Sequence, residues 1–392
     1  MPNRSRHDWP LCTKVYGSVF ISRACLLAPY HKPYLSTPQQ IALLQSRGME
    51  ISDEDKASEC LSRIGYYRLS AYWYSSRTSE IYKDPADGKL RTRVLDAFRP
   101  GTKFSDALDF YVFDKKLRLL VLDALERIEV GIRTDIAVLL GAHSAWAHRE
   151  KAHLHGNFTR PQVSAGRMAQ LNALQAAGKS LRDIARTVGM KEGAVKFALS
   201  QPGKAQLSEH DEWLARLDDK FKKSKEDFSK HFKEKYPADL PPIWVAVELW
   251  DFGTLSHFFS GMKVPDRDSI AKRYGLPDGD LLAGWLRNLN DVRNFCAHHS
   301  RLWNRSMPFI PPWPQPGVVP SLDHVVNHAR FYASAAILRH LLLTVNPSST
   351  WANRFVKLVS TLPPNPHVTL ASAGFPAGWE AQPLWPGIVG SG

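Results

Sequence analysis

The chain has little cysteine: Cys12, Cys25, Cys60 and Cys296 are scattered and form no Cys-x2-Cys pair. This argues against a zinc site and a disulfide framework, and fits a reducing cytosol, so a cytoplasmic location is expected. Long hydrophobic runs are missing too. The most apolar N-terminal stretch, Val15 to Leu27, is interrupted by Ser18, Ser22 and Arg23 and is too short to span a bilayer, so no membrane partner is expected. No phosphate-cradling Gly loop, internal repeat or strand-rich region is present. Acidic residues are in deficit: 38 Asp+Glu face 51 Lys+Arg, a formal charge of +13. That surplus favours polyanionic partners, nucleic acid first, against the plainer reading of a generic basic protein.

What is present is helical patterning. A chain of 392 residues with 44% hydrophobic content can bury a real core, as two domains or one with an insertion. Thr37-Pro38 opens a helix that Gly48 ends, and a second runs from Asp53 to about Ile64. The cluster Tyr66, Tyr67, Tyr72, Trp73 and Tyr74 suits a core or subunit interface better than base stacking beside Arg63, Arg68 and Arg77. Ser79–Lys103 is polar and reads as a loop or short hairpin turning at Asp84–Gly88.

A long helix follows from about Ser105 to Leu140, with Arg118, Arg127, Glu129 and Arg133 on its polar side. Glu126 or Glu129 either positions an active-site arginine or forms a structural salt bridge. His143, His148, His153 and His155 lack the spacing of a helical metal pair and lie beside Arg149 and Lys151, so neither a metal nor a cofactor is expected. Further helices are expected over Trp213–Tyr236, a buried one around Leu240 ending at Gly253, and others over Asp266–Tyr274, Leu322–Val345 and Trp351–Leu362. The last thirty residues are rich in Pro and Gly and read as a tail with little fixed structure.

One segment carries chemistry. Over Leu281–Arg305, Leu282, Leu286, Leu289, Val292 and Cys296 recur three or four apart, which predicts a helix with one buried face. The other face holds Asn288, Asn290, Asp291, Arg293, Asn294, His298, His299, Arg301 and Arg305. Arg-x4-His suits phosphoryl chemistry, because a guanidinium matches phosphate with two donors and an imidazole carries a proton near neutral pH. A polar helix surface is the competing reading. Positions five apart point about 140° from each other, so Arg293 and His298 converge only where a second helix or subunit closes a groove. Asn294 and His298, one turn apart, share a face.

Residues 291–305, Asp-Val-Arg-Asn-Phe-Cys-Ala-His-His-Ser-Arg-Leu-Trp-Asn-Arg, resemble the C-terminal signature of the Abi_2 family of abortive-infection proteins, a branch of the HEPN ribonucleases. Further blocks match in the family's order: 32–36, 63–72, 126–133 and 242–256. The resemblance implies a mainly α, HEPN-like helical bundle. It also implies a metal-independent endoribonuclease in which Arg293 stabilises charge on the phosphorane and His298 is general acid or base, leaving a 2′,3′-cyclic phosphate. Asn294 would hold the imidazole or the phosphate, with His299 as a further partner. Arg301 and Arg305 would line the RNA groove, Arg127, Glu129 and Arg133 would assist, and a homodimer would bring two signature helices to one cleft.

The chain then divides into an extension (1–31), a helical body in two parts (32–158 and 207–360), an insertion (159–206) and a tail (361–392). Within the insertion, residues 176–199 resemble a recombinase-type helix-turn-helix, with Ile184, Val188, Met190 and Val195 as core and Gly189 as the turn. Lys191 and Lys196, with Arg182 and Arg186, would face nucleic acid. Glu192 and Gly193 fit that reading poorly, and a plain helical hairpin packed on the main domain is the alternative. A rival function is a catalytically silent RNA- or DNA-binding regulator using this insertion, with a structured non-coding RNA as its partner. A purely structural interaction protein is the third.

Overall fold

A computed structural model describes residues 32–385. The expected N-terminal extension, with Cys12 and Cys25, and residues 386–392 lie outside the described residues. Among the described residues there are seventeen α-helices and one two-stranded antiparallel sheet, so the fold is mainly α. None of these helices is long and apolar enough to cross a membrane.

The axis of the body is the helix Phe104–Gly141, whose 38 residues span about 57 Å at 1.5 Å per residue. Phe110, Phe113, Leu117, Val121, Leu125, Ile128, Ile132 and Ile136 recur three or four apart and are buried. That seam receives Tyr66–Trp73, Gly279–Ala297, Phe331–Val345 and Trp351–Val359. Truncating one of its fully buried side chains, Leu117→Ala for example, should cost about 2–5 kcal/mol. Ahead of the axis, Ser36 closes a capping box on Thr37–Ser46, and Asp53 accepts from the Lys56 amide to start Glu54–Ile64. The polar segment forms a hairpin, Arg77–Lys83 against Leu90–Phe98.

Several boundaries differ from the sequence expectation for identifiable reasons. The charge-dense run is two helices, Glu209–Lys223 and Asp227–Lys235, separated at Ser224. Gly253 does not end a helix. It lies in the first turn of Phe252–Gly261, where the Asp251 carboxylate accepts from the Thr254 amide at 2.7 Å and starts a new helix. The C-terminal helix begins at Phe331 rather than Leu322, and Val326, expected inside, is 83% exposed.

Within the described residues the Pro/Gly-rich segment is ordered. Phe375, Trp379, Leu384 and Trp385 are buried among Tyr332 and Phe355, and the Trp385 indole donates to the Tyr332 hydroxyl at 3.0 Å. Burial of three large aromatic side chains favours ordering this segment against the conformational entropy it loses, a contribution that composition alone hid.

Residues 163–205 build a second, smaller core of their own. Val163, Met168, Leu171, Ile184, Ala185, Val188, Val195, Ala198 and Ala205 form it, contributed by Ala165–Ala176, Leu181–Val188, Glu192–Ser200 and Pro202–Ala205. Gly189, at φ 67°, makes the left-handed turn between the second and third helices, a conformation in which glycine carries no Cβ penalty. The two ends of the insertion meet: the Val163 amide donates to the Ala205 carbonyl at 2.8 Å, and Pro161 bridges Ser208.

Candidate active site

The signature helix is Gly279–Ala297, started by Asp278, whose carboxylate accepts from the Leu281 amide at 2.8 Å. Leu282, Trp285, Leu286, Leu289 and Val292 are fully buried. A Cβ on Gly284 would lie 2.2 Å from Pro312 Cγ, so the missing side chain is what lets the following loop lie on the helix. The Trp285 indole donates to the Pro312 carbonyl at 3.0 Å. Asn288, expected on the polar face, is fully buried: its amide donates to the Phe309 carbonyl at 2.9 Å and its oxygen accepts from the Ser334 hydroxyl at 2.8 Å. It fixes the helix between that loop and Phe331–Val345 and takes no part in an open site. With elements on both sides, the buried sector is wider than the apolar stripe alone shows.

The helix ends at Ala297, short of the expected Arg305. His298 is the cap residue, and His299 adopts the left-handed conformation at φ 57°. The Ser300 amide donates to the Phe295 carbonyl at 2.9 Å and the His299 amide to the Cys296 carbonyl at 3.1 Å, the pair of bonds that closes a Schellman turn. Glycine usually fills the left-handed position, and a side chain there costs roughly 1–2 kcal/mol. Arg68 supports the turn by donating to the His299 carbonyl at 2.9 Å. Both imidazoles are exposed, and neither makes a hydrogen bond, ion pair or ring contact among the described residues.

Beyond the turn, one carboxylate holds the chain. Asp114, completely buried on the long helix, accepts from the Leu302 amide at 3.2 Å, the Trp303 amide at 2.8 Å, the Tyr72 hydroxyl at 2.8 Å and the Arg118 guanidinium. Burial pushes its carboxyl up, while Arg118 and the other donors oppose that shift. Trp303 then stacks against Phe375 at 5.3 Å and meets Phe113 edge-on at 5.1 Å. Asp114 and Tyr72 were not among the candidate residues. The available signal was an acid one turn before Arg118, set among Phe110, Phe113 and Leu117 on an otherwise apolar face.

Arg293 sits elsewhere, in a cleft of about 310 Å³ lined by Leu122, Leu125, Glu126, Glu129, Val130 and Arg133. Its guanidinium donates to the Asn294 side-chain oxygen at 3.3 Å, so Asn294 is engaged with the arginine and not with an imidazole. Glu129 pairs with Arg133. Burial raises the Glu129 carboxyl above its ordinary value, against the pull of Arg133 and Arg293. The guanidinium groups of Arg133 and Arg293 therefore share with the carboxyls of Glu126 and Glu129 a surface open to solvent.

Arg127 does not line this cleft. It pairs with Asp123 at 2.8 Å and donates to the Ser349 hydroxyl at 3.0 Å, tying the C-terminal segment to the axis. Arg305 lies 3.8 Å over the Phe295 ring and donates to the Arg301 carbonyl at 3.3 Å. Burial lowers both Arg301 and Arg305 from their ordinary values. Arg182, Arg186, Lys191 and Lys196 are all exposed on the insertion. Among the described residues no group of three or more His, Cys, Asp or Glu is placed to hold a metal ion. His148 is fully buried, and burial first, then Arg149 and His210, hold its imidazole down at about 3.

A family model described as Abi-like protein matches residues 59–304. No curated protein and no solved structure matches the chain. The matched region runs from the second helix of the body through the Asp114 anchor, the Arg293 cleft and the turn at His298 and His299. With well over half of its residues inside that match, the chain belongs to the Abi_2 family of Abi-like, abortive-infection proteins.

Proposed function

We propose that the protein acts in phage defence as a metal-independent endoribonuclease of the HEPN type, working on RNA as a homodimer. The observation that carries this reading is the open cleft in which Arg293 of the signature helix stands beside Arg133 and Glu129 of the long helix, with the imidazole of His298, the cap of the signature helix, unpartnered among the described residues. Paired guanidinium groups match phosphate oxygens and favour charge building up on the phosphorane. RNA supplies its own nucleophile: the 2′-hydroxyl gives its proton to a base and attacks phosphorus, and the 5′-oxygen leaves with a proton from an acid. The products are a 2′,3′-cyclic phosphate and a 5′-hydroxyl, and His298 is the group for proton transfer.

Within one chain Arg293 turns toward the long helix while His298 stands at the helix end. A second copy completes the site in this reading. Val130, 53% exposed, borders the cleft; Val112 and Leu119, 40% and 60% exposed, lie on the same side of the long helix nearer its start, and the three supply apolar surface for that contact. The test is cleavage of a labelled RNA in EDTA by wild type, His298→Ala and Arg293→Ala, with the product ends identified. Cyclic-phosphate ends made by wild type and lost in both variants support the assignment. Equal cleavage by wild type and His298→Ala removes His298 from the mechanism.

A further inference from the structure

We propose that residues 163–205 form a second, separate nucleic-acid site, which grips double-stranded DNA through its phosphates with Arg182, Arg186, Lys191 and Lys196. The charge is arranged for it. Residues 160–204 carry eight Lys and Arg against Asp183 and Glu192. Asp183 is committed to the start of Leu181–Val188: it accepts from the Ser180 hydroxyl at 2.6 Å, and its amide donates back to that oxygen at 3.2 Å. Its contact with Arg186 is loose, at 3.7 Å. Among the described residues Arg182, Lys191 and Lys196 make no ion pair, so these cations are free to replace the counterions of a polyanion.

Shape selects the polyanion. Burial of Ile184, Ala185 and Val188 turns Arg182 and Arg186, one turn apart, outward together. Burial of Val195 and Ala198 turns Gly193, Lys196 and Ser200 outward on the next helix. Of the two residues that fit a recognition helix poorly in the sequence, Glu192 is exposed in the first turn, and Gly193 gains a use. In the fold nothing lies within 4 Å of where its Cβ would stand, and with Ser200 it leaves a low surface on which helix backbone can approach a groove floor. Glu192–Ser200 has nine residues, about 13.5 Å of helix, and a helix of that width enters the major groove of B-form DNA. The major groove of duplex RNA is too narrow to read this way. Single strands are gripped by aromatic platforms, and Phe197, the one aromatic residue of 160–204, packs on the core of the insertion.

The test is fluorescence anisotropy of the full chain with three labelled ligands of one mixed sequence: a 24-base-pair DNA duplex, the RNA duplex and the single strand. The expected result is tightest binding to duplex DNA. The variant carrying Arg182→Ala, Arg186→Ala, Lys191→Ala and Lys196→Ala should bind it about tenfold or more weakly at low salt. Its log–log salt slope should be shallower by about 3.6 for four phosphates, with its melting curve and RNA cleavage unchanged. A milder pair, Lys191→Gln with Lys196→Gln, should make the slope shallower by about 1.8. Equal binding of all three ligands, a preference for either RNA, or unchanged duplex binding by both variants overturns the proposal.

Discussion

The buried and half-buried arginines of the helical body and the exposed cations of the insertion are held differently. In the body Arg118, Arg133 and Arg149 each meet a carboxylate, and Arg305 stacks on an aromatic ring. In the insertion Arg182, Lys191 and Lys196 are exposed and make no ion pair among the described residues, and Arg186 has only its loose contact with Asp183. On the two proposals made above, geometry matters in the first and charge count in the second. Cations that must meet one phosphate are held in place, whereas cations that only neutralise a backbone gain nothing from being fixed.

The contrast is sharpest where chemistry is proposed. His298→Ala and Arg293→Ala should each lower RNA cleavage by about 10²–10⁴ while moving the melting midpoint little, since neither side chain supports the core. Cleavage assays beside thermal melts decide this, and a fall in stability that matched the fall in rate would make both residues merely structural.

Asp114→Ala comes next. It leaves Arg118 buried without its partner and frees the Leu302 and Trp303 amides, a loss of about 3–5 kcal/mol. Neutral substitutions of Arg182 or Lys196 should stay within about 0.5 kcal/mol. Chemical denaturation of the three proteins measures the difference, and a small loss at Asp114 would break the comparison.

Acid should act on the body through His148. Its folded-state pKa is depressed to about 3, so the unfolded chain binds the extra proton first. Stability is full above about pH 6.5 and falls as pH drops toward 3, by up to about 1.4 kcal/mol per unit. Between pH 7 and pH 5, wild type should lose more stability than His148→Phe; parallel losses would show that other groups dominate.

The smallest effect is expected at the strained turn. His299→Gly should stabilise the protein by about 0.5–1 kcal/mol by relieving the left-handed backbone, and cleavage should persist if His299 is only a cap. Loss of cleavage with gained stability would instead assign its imidazole a role.

The long helix and the buried face of the signature helix were legible because each packs on one continuous apolar seam. The end of the signature helix was not, since His299 occupies a position where glycine is the usual signal and the polar pattern simply continues to Arg305. Asn288 misled because it is polar and yet its partners, Phe309 and Ser334, come from segments 21 and 46 residues away. Asp114 needed the same long-range knowledge. At the C-terminus, proline and glycine set the expectation while Trp379 and Trp385 set the outcome. For the candidate site, the sequence singled out Arg293 and His298 but did not show that the helix ends between them, at Ala297.

The neck of the insertion has a consequence for how such chains diversify. Because Pro161 and Ser208 already lie side by side, the whole cassette can be gained or dropped in a single genetic event, with a short joint left behind and no helix of the host cut. Family members differing by this one excision would keep the same helical body with its Arg293 cleft and differ in the four exposed cations proposed above to meet DNA.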